Sequence, residues 1–176
     1  MTANVTNDTP ERSDATLSAH VVVEELKACG ASHVVWLPDS ESKHLYNLLV
    51  NDPELKLVPI CREGEALGIA LGLLVGGMRP VVVIQNTGLF ESGDSIRGLG
   101  LNLSLPILML VSYRGWHRDA PITDTAAIYL EPVLRGWRLP YHFVRSDSEA
   151  HIIGQAYEQA RASSQITAVL MAQEYV

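Results

Sequence analysis

Polar or ionisable residues follow four apolar runs in this sequence, each at the point where the run ends. Carboxyl, amide and guanidinium groups can bind a polar ligand and hold or move protons, which apolar side chains cannot do. Capping of the next helix and turn formation are alternative explanations for single members of the set. In chain order the residues are Asp39 and Ser40, then Glu63, then Asn86 and Thr87 with the adjoining Gly88, and then Arg114. If the runs are strands of one parallel sheet, these residues share the rim where ligands bind, beyond the carboxyl ends of the strands.

Apolar runs alternate with amphipathic stretches about six times along the chain, and this alternation predicts how the polar residues are positioned. Several runs are continuous and rich in branched residues, as strands buried on both faces are. The stretches between them carry apolar residues at helical spacing. We therefore predict an α/β fold, with a six-stranded, mainly parallel sheet flanked by helices on both faces. The predicted strands are 33–37, 55–61, 80–85, 106–112, 141–144 and 166–171, and the predicted helices are one ending at Gly30 and those at 40–50, 63–77, 92–103, 123–136 and 148–163.

Composition and charge limit the class of protein. Residues 1–14 are polar without an apolar period and are predicted to be a disordered lead, whereas residues 15–176 are predicted to form one domain. The net charge of −7 gives no general attraction for a phosphate backbone, so nucleic-acid binding is not expected. The longest stretch of low polarity, 66–77, is well short of the ~20 residues that span a bilayer, so no membrane partner is expected. Cys29 and Cys61 are predicted to be small buried thiols, which suits a reducing, cytoplasmic compartment.

The predicted helix that follows Glu63 is unusually rich in small residues. Glycine in a helix interior costs up to ~1 kcal/mol relative to alanine, so its repeated use needs a structural reason. Gly68 and Gly72 lie four positions apart and therefore on one face, where they would let another backbone approach closely. This face has two candidate partners, the sheet of the same domain and an element of another chain.

Segment 62–72, which reads Arg-Glu-Gly-Glu-Ala-Leu-Gly-Ile-Ala-Leu-Gly, resembles the pyrimidine-binding (PYR) domain of thiamine diphosphate enzymes. In that family a Glu follows the second strand, and a glycine stands nine positions later in a helix of small residues. Gly72 stands at that distance from Glu63, whereas the same distance from Glu65 falls on Leu74. The resemblance therefore selects Glu63 rather than Glu65 as the family's Glu.

Three further segments are similar to sulfopyruvate and phosphonopyruvate decarboxylases. Residues 37–40, Leu-Pro-Asp-Ser, resemble their Gly-Val-Pro-Asp-Ser turn. Residues 85–89, Gln-Asn-Thr-Gly-Leu, resemble their Gln-Asn-Ser-Gly-Leu, and residues 111–115, Val-Ser-Tyr-Arg-Gly, resemble their Val-Ser-Trp/Tyr-Arg-Gly. The chain departs from the family pattern at Phe90 and Glu91, where the family commonly has Gly-Asn, and again at residues 116–119.

The resemblance implies a role for each of the polar residues. Glu63 would be the catalytic residue that hydrogen-bonds N1′ of the cofactor's aminopyrimidine and makes its 4′-imino group basic beside C2. Asn86, Thr87 and Gly88 would complete this chain's part of the cofactor site. On the substrate side the resemblance implies Asp39 and Ser40, which would face the reacting carbon and carboxylate, and Arg114, which would neutralise a small anionic 2-oxo acid.

The resemblance also implies a partner chain. Full-length relatives carry a diphosphate-binding (PP) domain, whose Gly-Asp-Gly and later Asn hold Mg²⁺ and the cofactor's diphosphate, but here Gly93-Asp94 is followed by Ser95. The chain is therefore expected to be the α subunit of a two-chain 2-oxo acid decarboxylase, to meet a PP-domain β subunit, and to self-associate through its PYR domain. Alternatives are a subunit of another thiamine diphosphate enzyme, for carboligation or acyl transfer, and a non-catalytic interaction domain with the same fold.

Overall fold

The computed structural model describes residues 16–39, 43–117 and 121–172. Its centre is one sheet of six strands in the order β2-β1-β3-β4-β6-β5, with every pair parallel. The predicted sheet is therefore confirmed, whereas the predicted disordered lead lies outside the described residues. The strands are His33–Trp36 (β1), Lys56–Pro59 (β2), Pro80–Gln85 (β3), Leu108–Ser112 (β4), Tyr141–Val144 (β5) and Thr167–Met171 (β6).

Helices cover both faces of the sheet, which explains why the inner strands β3, β4 and β6 are buried and almost entirely apolar. Successive side chains of a strand point to opposite faces. Val81 and Val83 of β3 pack into one core with helices α1, α2 and α7, and Val82 and Ile84 pack into a second core with α3, α4 and α6. These helices, with the single turn α5, are Ala19–Ala28 (α1), Lys43–Leu49 (α2), Ala66–Val75 (α3), Asn86–Glu91 (α4), Gly93–Ser95 (α5), Thr125–Gly136 (α6) and Ile152–Ser163 (α7). In the part of the chain that the structure describes, no helix is long and apolar enough to cross a membrane.

The chain becomes helical directly after β3, six residues earlier than predicted. Asn86–Glu91 is a helix, followed by α5 and a π-helical turn at Ile96–Leu101, so the alternative of a simple turn at 86–88 is wrong. The Asn86 side-chain oxygen accepts the Thr87 N–H at 3.0 Å, and the Thr87 hydroxyl donates to Gln85 Oε1 at 2.8 Å. The polar side chains that are typical of a turn therefore hydrogen-bond at the start of a helix instead.

The prediction of a buried thiol at Cys61 is wrong, because β2 ends at Pro59 and Cys61 lies in the exposed turn that follows it. Cys29 is half-buried at the end of α1, and its burial raises the pKa of the thiol.

Strand order places the predicted site residues side by side. β1 pairs with β2 on one side and with β3 on the other. Strands are therefore added to opposite sides of β1, and the strand order switches direction between β1 and β3. Such a reversal opens a crevice beyond the carboxyl ends of the strands, where α/β proteins bind ligands. The ends of β2, β1, β3 and β4 are neighbours, so the four polar segments share one rim.

Candidate active site

Glu63 lies in a 3-10 turn, Glu63–Glu65, between the end of β2 and helix α3. Its half-buried side chain crosses to α4, which follows β3. A Cβ atom added to Gly88 would lie 2.5 Å from Glu63 Cγ and 2.8 Å from Glu63 Oε1. The absence of a side chain at Gly88 therefore makes the cradle in which Glu63 lies, and the structure brings these two predicted site residues together.

Glu91, which the sequence-based prediction did not include, fixes the turn that carries Glu63. Its Oε1 accepts a hydrogen bond from Arg62 Nε at 2.5 Å and forms an ion pair with Arg62 Nη2, also at 2.5 Å. Its Oε2 accepts the backbone N–H of Gly64 at 2.5 Å. The Ser95 hydroxyl donates to the Gly64 carbonyl oxygen at 2.6 Å. The departure from the family pattern at position 91 was the only signal in the sequence for this contact.

Asn86 and Arg114 join the ends of β3 and β4. Asn86 is fully buried, and its side-chain amide donates to the Arg114 carbonyl oxygen at 2.9 Å. The Arg114 guanidinium contacts Asp124 Oδ2 through Nε and Nη2, both at 3.2 Å, while Asp124 Oδ1 accepts the Ala126 N–H at the start of α6. Asp124 therefore orients the guanidinium and partly balances its charge.

An open groove of about 640 Å³ lies beside this pair and is lined by Thr87, Phe90, Arg114, Asp124 and Tyr129 among others. The structure thus places Thr87 and Arg114 along one concave surface. The groove combines the Arg114–Asp124 ion pair with a mostly apolar lining, a combination that is typical of sites for small molecules.

Tyr113 anchors helix α6 below the groove. Its buried hydroxyl donates to the Ala127 carbonyl oxygen at 3.2 Å and lies 3.3 Å from Glu131 Oε1. Burial, and then the neighbouring Glu131 carboxylate, raise the pKa of Tyr113 well above its ordinary value, so the hydroxyl remains a donor at physiological pH. Tyr113, the residue next to Arg114, therefore links the end of β4 to α6, the helix that begins just after Asp124.

Asp39 follows β1, the strand between β2 and β3, and is half-buried. It therefore lies at the middle of the rim, between the segments that carry Glu63 and Asn86. Ser40 lies outside the described residues. Within the described ranges there is no group of three or more His, Cys, Asp or Glu that could hold a metal ion.

The glycine face of α3 does not pack on the sheet. Helix α3 contributes Ala66, Leu67 and Ala70 to the second core, whereas Gly68 and Gly72 are exposed. A Cβ atom at Gly72 would meet no described atom within 4 Å, and one at Gly68 would approach only Leu99, at 3.9 Å. The sheet of the same domain is therefore the wrong partner for this face.

The family to which this chain belongs is identified by its similarity to known proteins. Residues 18–119 match the family described as "Thiamine pyrophosphate enzyme, N-terminal TPP binding domain". The chain therefore belongs to the thiamine pyrophosphate (thiamine diphosphate) enzymes through this domain, and the resemblance inferred from segment 62–72 is confirmed.

Named relatives point to one subgroup. The chain is 28% identical over 162 residues to "Sulfopyruvate decarboxylase subunit alpha" of Methanothermobacter thermautotrophicus, covering 90% of this chain and 97% of that protein. It is 27% identical over 138 residues to the protein of the same name from Methanococcus maripaludis, covering 76% and 81% of the two chains. It is also 27% identical over 99 residues to the phosphonopyruvate decarboxylase of Streptomyces viridochromogenes, covering 56% of this chain and 25% of that protein.

Solved structures share the fold. The 2-oxoglutarate:ferredoxin oxidoreductase of Magnetococcus marinus aligns with a TM-score of 0.71 at 14% identity, over 89% of this chain. A putative thiamin diphosphate-dependent enzyme from Mycobacterium smegmatis aligns with a TM-score of 0.63 at 20% identity, over 94% of this chain. This chain spans 29% and 33% of those two longer chains.

Proposed function

We propose that this chain is the α subunit of a two-chain, thiamine diphosphate-dependent 2-oxo acid decarboxylase whose substrate resembles sulfopyruvate or phosphonopyruvate. The observation that carries the proposal is the position of Glu63, half-buried at the rim and seated against Gly88. The names of the relatives, two of them "subunit alpha", support the reaction and the two-chain arrangement.

The residues at the rim fit the pyrimidine half of the cofactor. When bound, thiamine diphosphate supplies a nucleophilic carbon and an electron sink for decarboxylation. Glu63 would accept and return a proton at N1′ of the aminopyrimidine. Gly88 leaves room for the Glu63 side chain, and Asn86 and Thr87 hold the start of α4 in place through the hydrogen bonds described above. We assign Mg²⁺ and the diphosphate to the PP domain of a β subunit.

Asp39, Ser40 and Arg114 would form this chain's part of the substrate site. Asp39 and Ser40 would face the reacting carbon and its carboxylate from the end of β1. Arg114 would bind the sulfonate or phosphonate, since a planar guanidinium matches those oxygens. Asp124 would hold the Arg114 guanidinium in one orientation.

Replacing Arg114 with Ala is expected to raise the KM for sulfopyruvate or phosphonopyruvate about 10- to 100-fold, since a charge-assisted hydrogen bond is lost. The KM for pyruvate, which lacks the second anion, is expected to change little. Steady-state kinetics on both substrates measure the difference. The matched control is Arg97→Ala, which removes an exposed arginine that pairs with Asp94 away from the groove. Equal changes in KM for the two substrates would contradict the assignment of Arg114 to the substrate site.

Self-association would use the exposed glycine face of α3. A helix that is apolar on all sides is expected to be covered, and α3, with the sequence Ala-Leu-Gly-Ile-Ala-Leu-Gly-Leu-Leu-Val, has no polar residue. Val75 at its end is 80% exposed. We assign this face to a second copy of the chain, with Gly68 and Gly72 at the closest approach.

Gly72→Ala separates folding from assembly. Alanine is expected to stabilise the isolated chain by up to ~1 kcal/mol, because it favours the helix and meets no described neighbour. The same methyl group is expected to shift self-association toward the monomer. Thermal unfolding and sedimentation velocity measure the two effects, with Gly136→Ala at the end of α6 as the control. An unchanged monomer–oligomer equilibrium would exclude this face from the interface.

The proposed function is tested by co-expression with a PP-type chain from the same genome. The purified assembly is expected to bind thiamine diphosphate and Mg²⁺ and to release CO₂ from sulfopyruvate or phosphonopyruvate. Products of carboligation or acyl transfer from the same cofactor would indicate another enzyme of the family. An assembly that binds no thiamine diphosphate would indicate a non-catalytic interaction domain.

A further inference from the structure

We propose that Glu91 is a positioning residue for Glu63. It would lock the turn that carries Glu63, so that the carboxyl group keeps one orientation toward the cofactor. The inference rests on the proposed function, because it assigns Glu63 to the cofactor. It adds a residue for which nothing in the family motifs accounts.

Glu91 contacts the residues on both sides of Glu63. One of its oxygens binds the Arg62 side chain, and the other binds the Gly64 backbone N–H. Arg62 and Gly64 bracket Glu63 directly, so these contacts restrict the backbone dihedrals that aim its side chain. Both the N–H and the carbonyl group of Gly64 are hydrogen-bonded, since the carbonyl oxygen accepts a hydrogen bond from the Ser95 hydroxyl.

A carboxylate suits this position for two reasons. The Gly64 N–H belongs to the first turn of the 3-10/α3 helical segment, where N–H groups lack helical partners and favour a negative charge. The Arg62 guanidinium balances that charge through a hydrogen bond from Nε and an ion pair from Nη2. Glycine at 64 permits the approach, because an added Cβ would lie 3.0 Å from Glu91 Oε2.

Helix α4 carries both residues that position Glu63. Gly88 and Glu91 are three residues apart, so they lie on the same face of this helix. Gly88 contacts the Glu63 side chain and Glu91 holds the backbone beside it. One short helix therefore sets the position of Glu63 at two points, which is how a supporting residue fixes a reacting group.

The isolated chain tests the lock without cofactor or partner. In Glu91→Ala, the Gly64 amide is expected to exchange with deuterium about 10- to 100-fold faster, as a hydrogen bond to a charged group is lost. In Glu91→Gln, which keeps an acceptor but loses the charge, the increase is expected to be smaller. Amides of strand β3 report global stability. Asp94→Asn is the matched control, because Asp94 is exposed, pairs with Arg97, and lies three residues after Glu91. Unchanged exchange at Gly64 in Glu91→Ala overturns the inference.

The assembled enzyme tests the consequence for Glu63. Glu91→Ala is expected to lower kcat about 100-fold with KM nearly unchanged, since misplacing a reacting group by about 1 Å costs on that order. The rate of hydrogen–deuterium exchange at C2 of added thiamine diphosphate, bound with Mg²⁺, is expected to fall by a similar factor. Glu91→Gln should recover part of both rates, and Asp94→Asn should match the wild type. Arg62→Met combined with Glu91→Gln is expected to cost less than the sum of the single changes, because the two side chains act as one unit.

The outcomes separate this inference from the proposed function. If Glu63→Gln inactivates the assembly but Glu91→Ala keeps the wild-type kcat and the wild-type rate of C2 exchange, the positioning role is overturned. The proposed function is then unaffected. If the wild-type assembly shows neither C2 exchange of thiamine diphosphate nor CO₂ release, the proposed function is overturned, and the inference about Glu91 and Glu63 is overturned with it. A fall in kcat that is matched by a rise in KM and by faster exchange in strand β3 indicates a general loss of structure and also overturns the inference.

Discussion

Glu63→Gln is expected to give an assembled complex that binds thiamine diphosphate but turns over about 10²- to 10⁴-fold more slowly than the wild type. The amide has the size of the carboxyl group and fits the same space against Gly88, so assembly and cofactor binding are expected to persist. It cannot take up and return a proton at N1′, which is the step assigned to this residue. Cofactor affinity is measured by calorimetric titration, and turnover by CO₂ release.

Glu65→Gln is the control for this experiment. Glu65 lies in the same 3-10 turn and is exposed, so the substitution changes the same charge at nearly the same place. Its turnover is expected to stay near the wild-type value. Substantial turnover in Glu63→Gln with the cofactor bound would refute the catalytic assignment, and equal losses in both variants would reduce it to an effect of local charge.

Gly88→Ala is the second change with a large expected effect. The added methyl group would lie 2.5 Å from Glu63 Cγ and 2.8 Å from Glu63 Oε1, so the Glu63 side chain must move. If Glu63 transfers the proton as proposed, its displacement by about 1 Å is expected to lower kcat on the order of 100-fold. The fold is expected to survive, because alanine favours the helical conformation of α4 more than glycine does. The measurements are kcat, KM and the temperature of thermal unfolding.

Gly98→Ala is the matched control, since a Cβ at Gly98 would meet no described atom within 4 Å. It introduces the same methyl group into a neighbouring helical segment and is expected to leave kcat unchanged. A Gly88→Ala enzyme with wild-type kcat would mean that the cradle is not needed to hold Glu63. A fall in unfolding temperature as large as that in activity would mean that Gly88 serves the fold rather than the site.

Local pattern was sufficient for the sheet and for the positions of the candidate residues. Continuous apolar runs predicted six strands, and all six are present in one parallel sheet. Strand ends were predictable because the change from apolar to polar residues is a local signal. Cys61 shows the limit of that signal, because the apolar run of β2 extends beyond the last paired residue, Pro59.

The sequence by itself predicted that Glu63, rather than Glu65, is the family's Glu, because its distance to Gly72 along the chain matches the family pattern. It also determined that polar groups follow each of four strands. The tertiary structure decided which of these groups meet. Strand order made the four ends neighbours, α4 brought Gly88 against Glu63, and Glu91 reached Arg62 across 29 positions. Contacts of this kind depend on how separate elements pack, and no local period or propensity encodes them.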